Sequence, residues 1–127
     1  MRFLLDTHAL LWFQTGDRRL SRAARRAIET PDAELILSAA SVWEMAIKAS
    51  LGRLQLPGSV DAYVTEKVTQ GYHTLPVSAG HAARVETLPW HHRDPFDRLL
   101  AAQALVERCP LITRDKLFRK YGVTVVW

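Results

Sequence analysis

Four acidic residues far apart in the chain occupy similar positions relative to the predicted elements. Asp6 and Asp115 come just past predicted strands, while Glu44 and Asp97 lie in the first turns of predicted helices. In an open parallel sheet, the carboxyl ends of all strands lie along one edge, and ligands bind in the crevice there. Acids this far apart in sequence could therefore meet at that edge.

A cluster of four carboxylates cannot stay fully ionised without a neutralising partner. Two like charges about 4 Å apart repel by about 4 kcal/mol at an effective dielectric near 20. Protonation would relieve this repulsion, and so would a divalent cation. Oxygen ligands without a cysteine pair favour Mg²⁺, or Mn²⁺, over Zn²⁺. Such a centre activates water and neutralises charge developing on a phosphodiester, so the residue types predict phosphoester hydrolysis.

Helix capping is the competing explanation for most of these acids. Ser41 and Glu44 match a capping box, in which Glu44 returns a hydrogen bond to the backbone. Asp97 would likewise return a hydrogen bond to the backbone of Asp94. Asp94 is itself the predicted cap of a helix that starts with proline. Asp115 would cap the segment after it. For Asp94, capping is the preferred interpretation, although it lies close enough to Asp97 to assist at a site.

Asp6 lacks a recognisable capping pattern. It ends a buried strand, where an unpaired carboxylate would be costly, so we expect it to have a partner. Two hydroxyls lie beside the acids, Thr7 next to Asp6 and Ser41 near Glu44. They would either orient water or a ligand, or cap backbone groups.

The predicted elements alternate between strands and helices. Helical segments begin at Ser21, Ser41, Ser59, Ser78 and Asp94. This alternation is typical of an α/β protein whose central, mainly parallel sheet is flanked by helices. The predicted strands are short apolar runs at 2–5, 35–38, 74–77, 111–113 and 123–126.

Length and composition limit the class of protein. A chain of 127 residues with 48% hydrophobic and 24% charged residues predicts one globular domain spanning 1–127. The longest apolar run, Ala9–Phe13, is far too short for a membrane span, and no signal-peptide pattern appears, so we expect a cytoplasmic protein. The lone Cys109 excludes an internal disulfide and a zinc-binding cysteine pair.

Four segments together resemble, in order, the motifs of PIN-domain ribonucleases, and most closely the VapC toxins of type II toxin–antitoxin modules. The similarity extends over nearly the whole chain. The segments are Leu4–His8, Ser38–Met45, Arg93–Ala104 and Ile112–Asp115.

The resemblance implies a PIN-like three-layer sandwich and Mg²⁺-dependent endoribonuclease activity. Thr113 matches the polar residue that the family has at its site. The family also implies an RNA substrate, a VapB-type antitoxin that lies across the helices, and a toxin homodimer. The implied metal ligands are Asp6, Glu44, Asp97 and Asp115.

Basic and histidine residues suggest contacts with RNA. Arg18, Arg22, Arg25 and Arg26 recur at helical spacing, either as a solvated face or as a phosphate-binding surface. The stretch 91–93, His-His-Arg, precedes the Asp97 helix and lies close enough to contact substrate. We expect solvation of this loop rather than metal ligation by its histidines.

Two other functions remain open. A receiver domain also holds Mg²⁺ with acids at strand ends, but here the first strand ends in one acid, no Asp follows the strand at 74–77, and no lysine closes the last strand. A non-catalytic binding module would use the acids only as caps. Asp→Asn changes separate that module from a nuclease, because Asn caps a helix but ligates Mg²⁺ poorly.

Overall fold

The computed structural model, which describes residues 1–127, contains a five-stranded sheet in which every neighbouring pair is parallel. The sheet order is β3-β2-β1-β4-β5. The predicted α/β class is confirmed. The strands are β1 (Arg2–Leu5), β2 (Glu34–Ser38), β3 (His73–Leu75), β4 (Leu111–Ile112) and β5 (Val125–Val126).

Helices connect successive strands and cover the sheet. Four of them begin at the predicted N-caps Ser21, Ser59, Ser78 and Asp94, whose side chains accept backbone N–H groups. No helix combines the length and apolar character needed to cross a membrane. The helices are α1 (Thr7–Thr15), α2 (Arg22–Glu29), α3 (Ala39–Ser50), α4 (Val60–Thr69), α5 (Ala79–Arg84) and α6 (Pro95–Val106), with 3₁₀ helices at Val85–Thr87 and Lys116–Tyr121.

The start of α3 differs from the prediction. Its N-cap is Ser38, whose hydroxyl accepts the N–H of Ala40 at 3.0 Å, so the helix begins directly at the end of β2. Ser41 is buried inside the helix, and Glu44 lies in its second turn. The predicted capping box is therefore wrong, because a serine three residues earlier already starts the helix.

Two apolar cores lie on opposite faces of the sheet. Phe3 and Leu5 pack in one core and Leu4 packs in the other, because alternate residues of a strand point to opposite faces. Met45 of α3 joins the first core, and Leu100 of α6 joins the second. The helix, sheet and helix layers match the expected three-layer sandwich.

The predicted strand at 74–77 is shifted and is not buried. The observed strand β3 is His73–Leu75, and both His73 and Thr74 are exposed. It pairs only with β2, which places it at an edge of the sheet. Edge strands have one unpaired side, so they need not be apolar on both faces.

Candidate metal centre

The four predicted acids line one cavity of about 270 Å³ at the carboxyl edge of the sheet. Asp6 reaches it from the end of β1, Glu44 from α3, Asp97 from α6 and Asp115 from the segment after β4. The structure thus brings together side chains from four separate stretches of sequence. Thr7, Ser41 and Asp94 also line this cavity, as do His8, Ala40, Lys48, Phe96, Leu100 and Phe118.

Asp6 is fixed by two hydrogen bonds. One carboxylate oxygen accepts the N–H of Ala9 at 2.7 Å and caps α1, and the other accepts the hydroxyl of Thr113. The expectation that Asp6 has no capping role was wrong, because β1 passes into α1 without a loop. Thr113 is fully buried and does not itself line the cavity. It therefore acts on the site through Asp6.

Glu44 is held from two directions. Its Oε1 accepts the hydroxyl of Thr7 at 2.8 Å, and its Oε2 lies 3.4 Å from Nζ of Lys48. Thr7 thus bonds an acid of the site and not the backbone. The side chain of Ser41 caps no helix, and it is positioned at the cavity wall.

Asp97 and Asp94 have different surroundings. Asp94 caps α6 by accepting the N–H of Phe96 at 2.8 Å, as predicted. Asp97 makes no capping bond to Asp94, so the capping role considered for it was wrong. Burial raises the pKa of Asp97 to about 6, helped by the negative charges of Asp94, Glu44 and Asp115 and opposed by His92.

Asp115 contacts a histidine that the sequence did not single out as a partner. One of its oxygens accepts the N–H of Leu117 at 3.0 Å and caps the 3₁₀ helix, and the other lies 2.6 Å from Nε2 of His92. His92 is buried, so the expectation of a solvated histidine was wrong for this residue. His91 packs edge-on against Tyr121, with ring centroids 5.0 Å apart.

Burial and mutual repulsion make it unfavourable for the carboxylates of this cavity to be ionised without a neutralising cation. Burial raises the pKa of Asp6, against the lowering effects of its bonds to Thr113 and Ala9. Ligand atoms of His92, Asp97 and Asp115 all lie within 4.8 Å of one another. The carboxylate oxygens here are the donors that hard divalent cations prefer, so the residues present fit such an ion.

The raised pKa of Asp97 predicts how stability depends on pH. In metal-free protein its stabilising contribution is complete below about pH 4 and is lost as the pH rises through about 6, because burial penalises only the ionised form. Saturating Mg²⁺ should offset this loss between about pH 4 and 6, because the ion binds the ionised group. Thermal unfolding in EDTA and in Mg²⁺ across this range measures both effects. Equal pH slopes for the parent and Asp97→Asn in EDTA would contradict the assignment.

The arginine-rich helix does not belong to this cavity. Arg22, Arg25 and Arg26 line a separate shallow depression together with Glu29, and Arg25 lies 3.5 Å from a carboxylate oxygen of Glu29. Arg18 is exposed just before this helix. Contact between this face and RNA stays a prediction.

A parallel α/β sheet with an acidic cavity at its carboxyl edge defines the general class of this protein, and comparisons with known proteins refine it. The PIN domain family model matches residues 3–123. Ribonuclease VapC22 of Mycobacterium tuberculosis is 34% identical over 119 residues, covering 93% of this chain and 90% of that protein. The chain belongs to the PIN-domain family, so the receiver-domain alternative is wrong.

Solved structures share the fold. VapBC2 from Rickettsia felis, determined with a promoter DNA fragment, aligns with a TM-score of 0.70 at 14% identity and covers 98% of this chain and 97% of that chain. The toxin VapC20 of Mycobacterium tuberculosis, described as cleaving the sarcin–ricin loop, aligns with a TM-score of 0.67 at 17% identity and covers 96% of both chains. At these identities the similarity supports the fold alone.

Proposed function

We propose that this chain is an Mg²⁺-dependent endoribonuclease and the toxin of a type II toxin–antitoxin module. One observation carries the proposal: four acids converge in a single cavity of a PIN-family chain that is 34% identical to a ribonuclease. Residues 1–127 form one PIN domain in this proposal. The enzyme acts in the cytoplasm, where its RNA substrate lies.

Four carboxylates are the proposed ligands of the ion. When bound, Mg²⁺ supplies charge neutralisation and an activated water for phosphodiester hydrolysis. Mn²⁺ has the same preference for oxygen ligands and should substitute for it. The ligands are Asp6, Glu44, Asp97 and Asp115.

Hydrogen bonds and an ion pair from neighbouring groups orient two of these ligands. Thr113 and the N–H of Ala9 hold Asp6, while Thr7 and Lys48 hold Glu44. Hydrogen bonds of this kind fix the direction of a carboxylate before an ion arrives, which lowers the cost of ordering it. Ser41 at the cavity wall can hydrogen-bond water or substrate.

Asp94 adds negative charge to the cavity and also caps α6. One of its carboxylate oxygens caps α6, and the side chain faces the cavity. Its negative charge is among the causes that raise the pKa of Asp97. We assign it an auxiliary electrostatic role, which increases the attraction of the cavity for a divalent cation.

A VapB-type antitoxin is the proposed macromolecular partner. A groove of about 410 Å³ beside α1 is lined by four partly buried apolar side chains, Leu11, Trp12, Leu54 and Leu56, and by polar side chains that include Asp17 and Arg19. Grooves that combine apolar and charged side chains can bind amphipathic segments of partner chains. Several solved relatives are toxin–antitoxin complexes, which supports this partner. A homodimer of the toxin is part of the same proposal.

Purified protein and end-labelled RNA test the nuclease directly. We expect internal cleavage in Mg²⁺ or Mn²⁺ and none in EDTA, since the acids alone supply no neutralising charge. Readdition of Mg²⁺ to the chelated sample should restore cleavage. RNA that is bound but never cut under any of these conditions would favour the non-catalytic binding module, and cutting in EDTA would exclude the metal.

A further inference from the structure

We infer that His92 is a positioning residue of the acidic centre, held by the hydroxyl of Tyr121 so that its Nε2–H is donated to Asp115. The inference rests on the proposed function, because it assigns His92 a task toward one of the proposed metal ligands. No local motif of the sequence indicates it, since Asp115 and Tyr121 lie 23 and 29 residues from His92.

Tyr121 contacts the histidine at two points. Its hydroxyl oxygen accepts the backbone N–H of His92 at 2.9 Å and lies 2.8 Å from Nδ1 of the same residue. The hydroxyl hydrogen has no other acceptor within hydrogen-bond distance, so it is donated to Nδ1. Nδ1 therefore accepts the hydrogen bond from the tyrosine hydroxyl.

The position of the ring hydrogen decides whether His92 donates a hydrogen bond or ligates a metal ion. With Nδ1 as the acceptor, the ring hydrogen lies on Nε2, which is 2.6 Å from Oδ2 of Asp115. A protonated nitrogen cannot ligate a metal ion. His92 is within reach of Asp97 and Asp115, but it acts through Asp115 and not as a ligand.

Packing keeps the imidazole from turning away. Its ring lies 4.7 Å from the ring of Phe118 and 5.5 Å from that of Tyr121, nearly parallel to the latter with an interplanar angle of 19°. All three residues are buried. The two oxygens of Asp115 then each accept one N–H, from Leu117 and from His92, which fixes the plane of the carboxylate.

Removing the hydroxyl of Tyr121 should loosen the orientation of the His92 ring. Without the hydroxyl, His92 loses the contacts at its backbone N–H and at Nδ1, so its ring is no longer held in the direction that aims Nε2–H at Asp115. Loss of such a partner of a metal ligand costs about 10- to 100-fold in metal affinity or activity. We expect a loss in this range for Tyr121→Phe.

The test compares Tyr121→Phe with Tyr63→Phe. Tyr63 is a matched control, because its hydroxyl is also buried but has no hydrogen-bond partner. Binding of Mn²⁺ alone, followed by electron paramagnetic resonance without RNA, should weaken about 10-fold or more in Tyr121→Phe and stay unchanged in Tyr63→Phe. RNA cleavage at saturating substrate should show a higher half-saturating Mg²⁺ concentration with an unchanged KM for RNA.

A second measurement reads the tautomer without any metal. Long-range ¹H–¹⁵N correlation spectra of the parent should place the hydrogen of His92 on Nε2, and in Tyr121→Phe that hydrogen should exchange faster with solvent, because the ring is no longer held against Asp115. Equal Mn²⁺ affinity in Tyr121→Phe and the parent would overturn the inference, as would a parent ring with its hydrogen on Nδ1. A parent that binds Mn²⁺ as expected but cuts no RNA would refute only the proposed function.

Discussion

Asp6→Asn is expected to lose RNA cleavage by about 100-fold or more while the protein keeps or gains stability. Loss of a partner of a metal ligand costs about 10- to 100-fold, and loss of the ligand itself costs at least the upper value. The amide oxygen of Asn still accepts the N–H of Ala9, so the cap of α1 survives, although the amide nitrogen cannot accept the hydroxyl of Thr113. Burial raises the pKa of Asp6, so a neutral side chain is better tolerated there in metal-free protein.

Cleavage rates and thermal unfolding of the same preparations measure the two effects. Asp61→Asn is a suitable control, because Asp61 is exposed in the first turn of α4 and does not line the cavity. It should cleave RNA like the parent. Equal cleavage by the parent and Asp6→Asn would end the proposal that this acid holds the ion.

Expression of the chain alone is expected to stop bacterial growth, and co-expression of the antitoxin encoded by the neighbouring gene should restore it. The proposed contact is the groove that contains Leu54 and Leu56. Leu56→Glu should weaken the complex about 10- to 100-fold, because burial of a leucine contributes about 1.5–3 kcal/mol and each 1.4 kcal/mol is about tenfold in Kd. Isothermal titration with purified antitoxin measures this loss.

Leu51→Glu is the matched control for the antitoxin surface. Leu51 is 60% exposed after α3 and does not line the groove, so this variant should bind the antitoxin like the parent. Both variants should retain RNA cleavage in the absence of antitoxin. Growth that continues when the active parent is expressed alone, or parental antitoxin affinity in Leu56→Glu, would argue against the toxin role or against this groove.

The placement of Asp6 and Asp115 at one edge of the sheet was predictable, because it follows from a topological rule, whereas the full set with Glu44 and Asp97 came from the resemblance to the PIN-domain family. Short apolar runs separated by helical segments indicate a parallel sheet, and parallel strands direct their carboxyl ends to one edge. Asp6 and Asp115 lie one and three residues past strands β1 and β4. These two positions could therefore be predicted without knowing how distant segments pack.

Contacts set by tertiary packing were not predictable from local patterns. The bond from His92 to Asp115 joins residues that are close only after the Lys116–Tyr121 helix packs against the loop before α6. The capping box at Ser41 failed for a different reason. Ser38 offers an equivalent cap one turn earlier, and only the length of β2 decides between the two serines.

The two borders of the sheet constrain how copies of the chain can associate. Strand β3 has three residues and strand β5 has two, so each offers only a few free backbone groups as a template for another strand. Such a short ladder gives little affinity, and a continuous intermolecular sheet would be unstable. For a homodimer of this chain, the short edges therefore favour an interface away from the sheet borders.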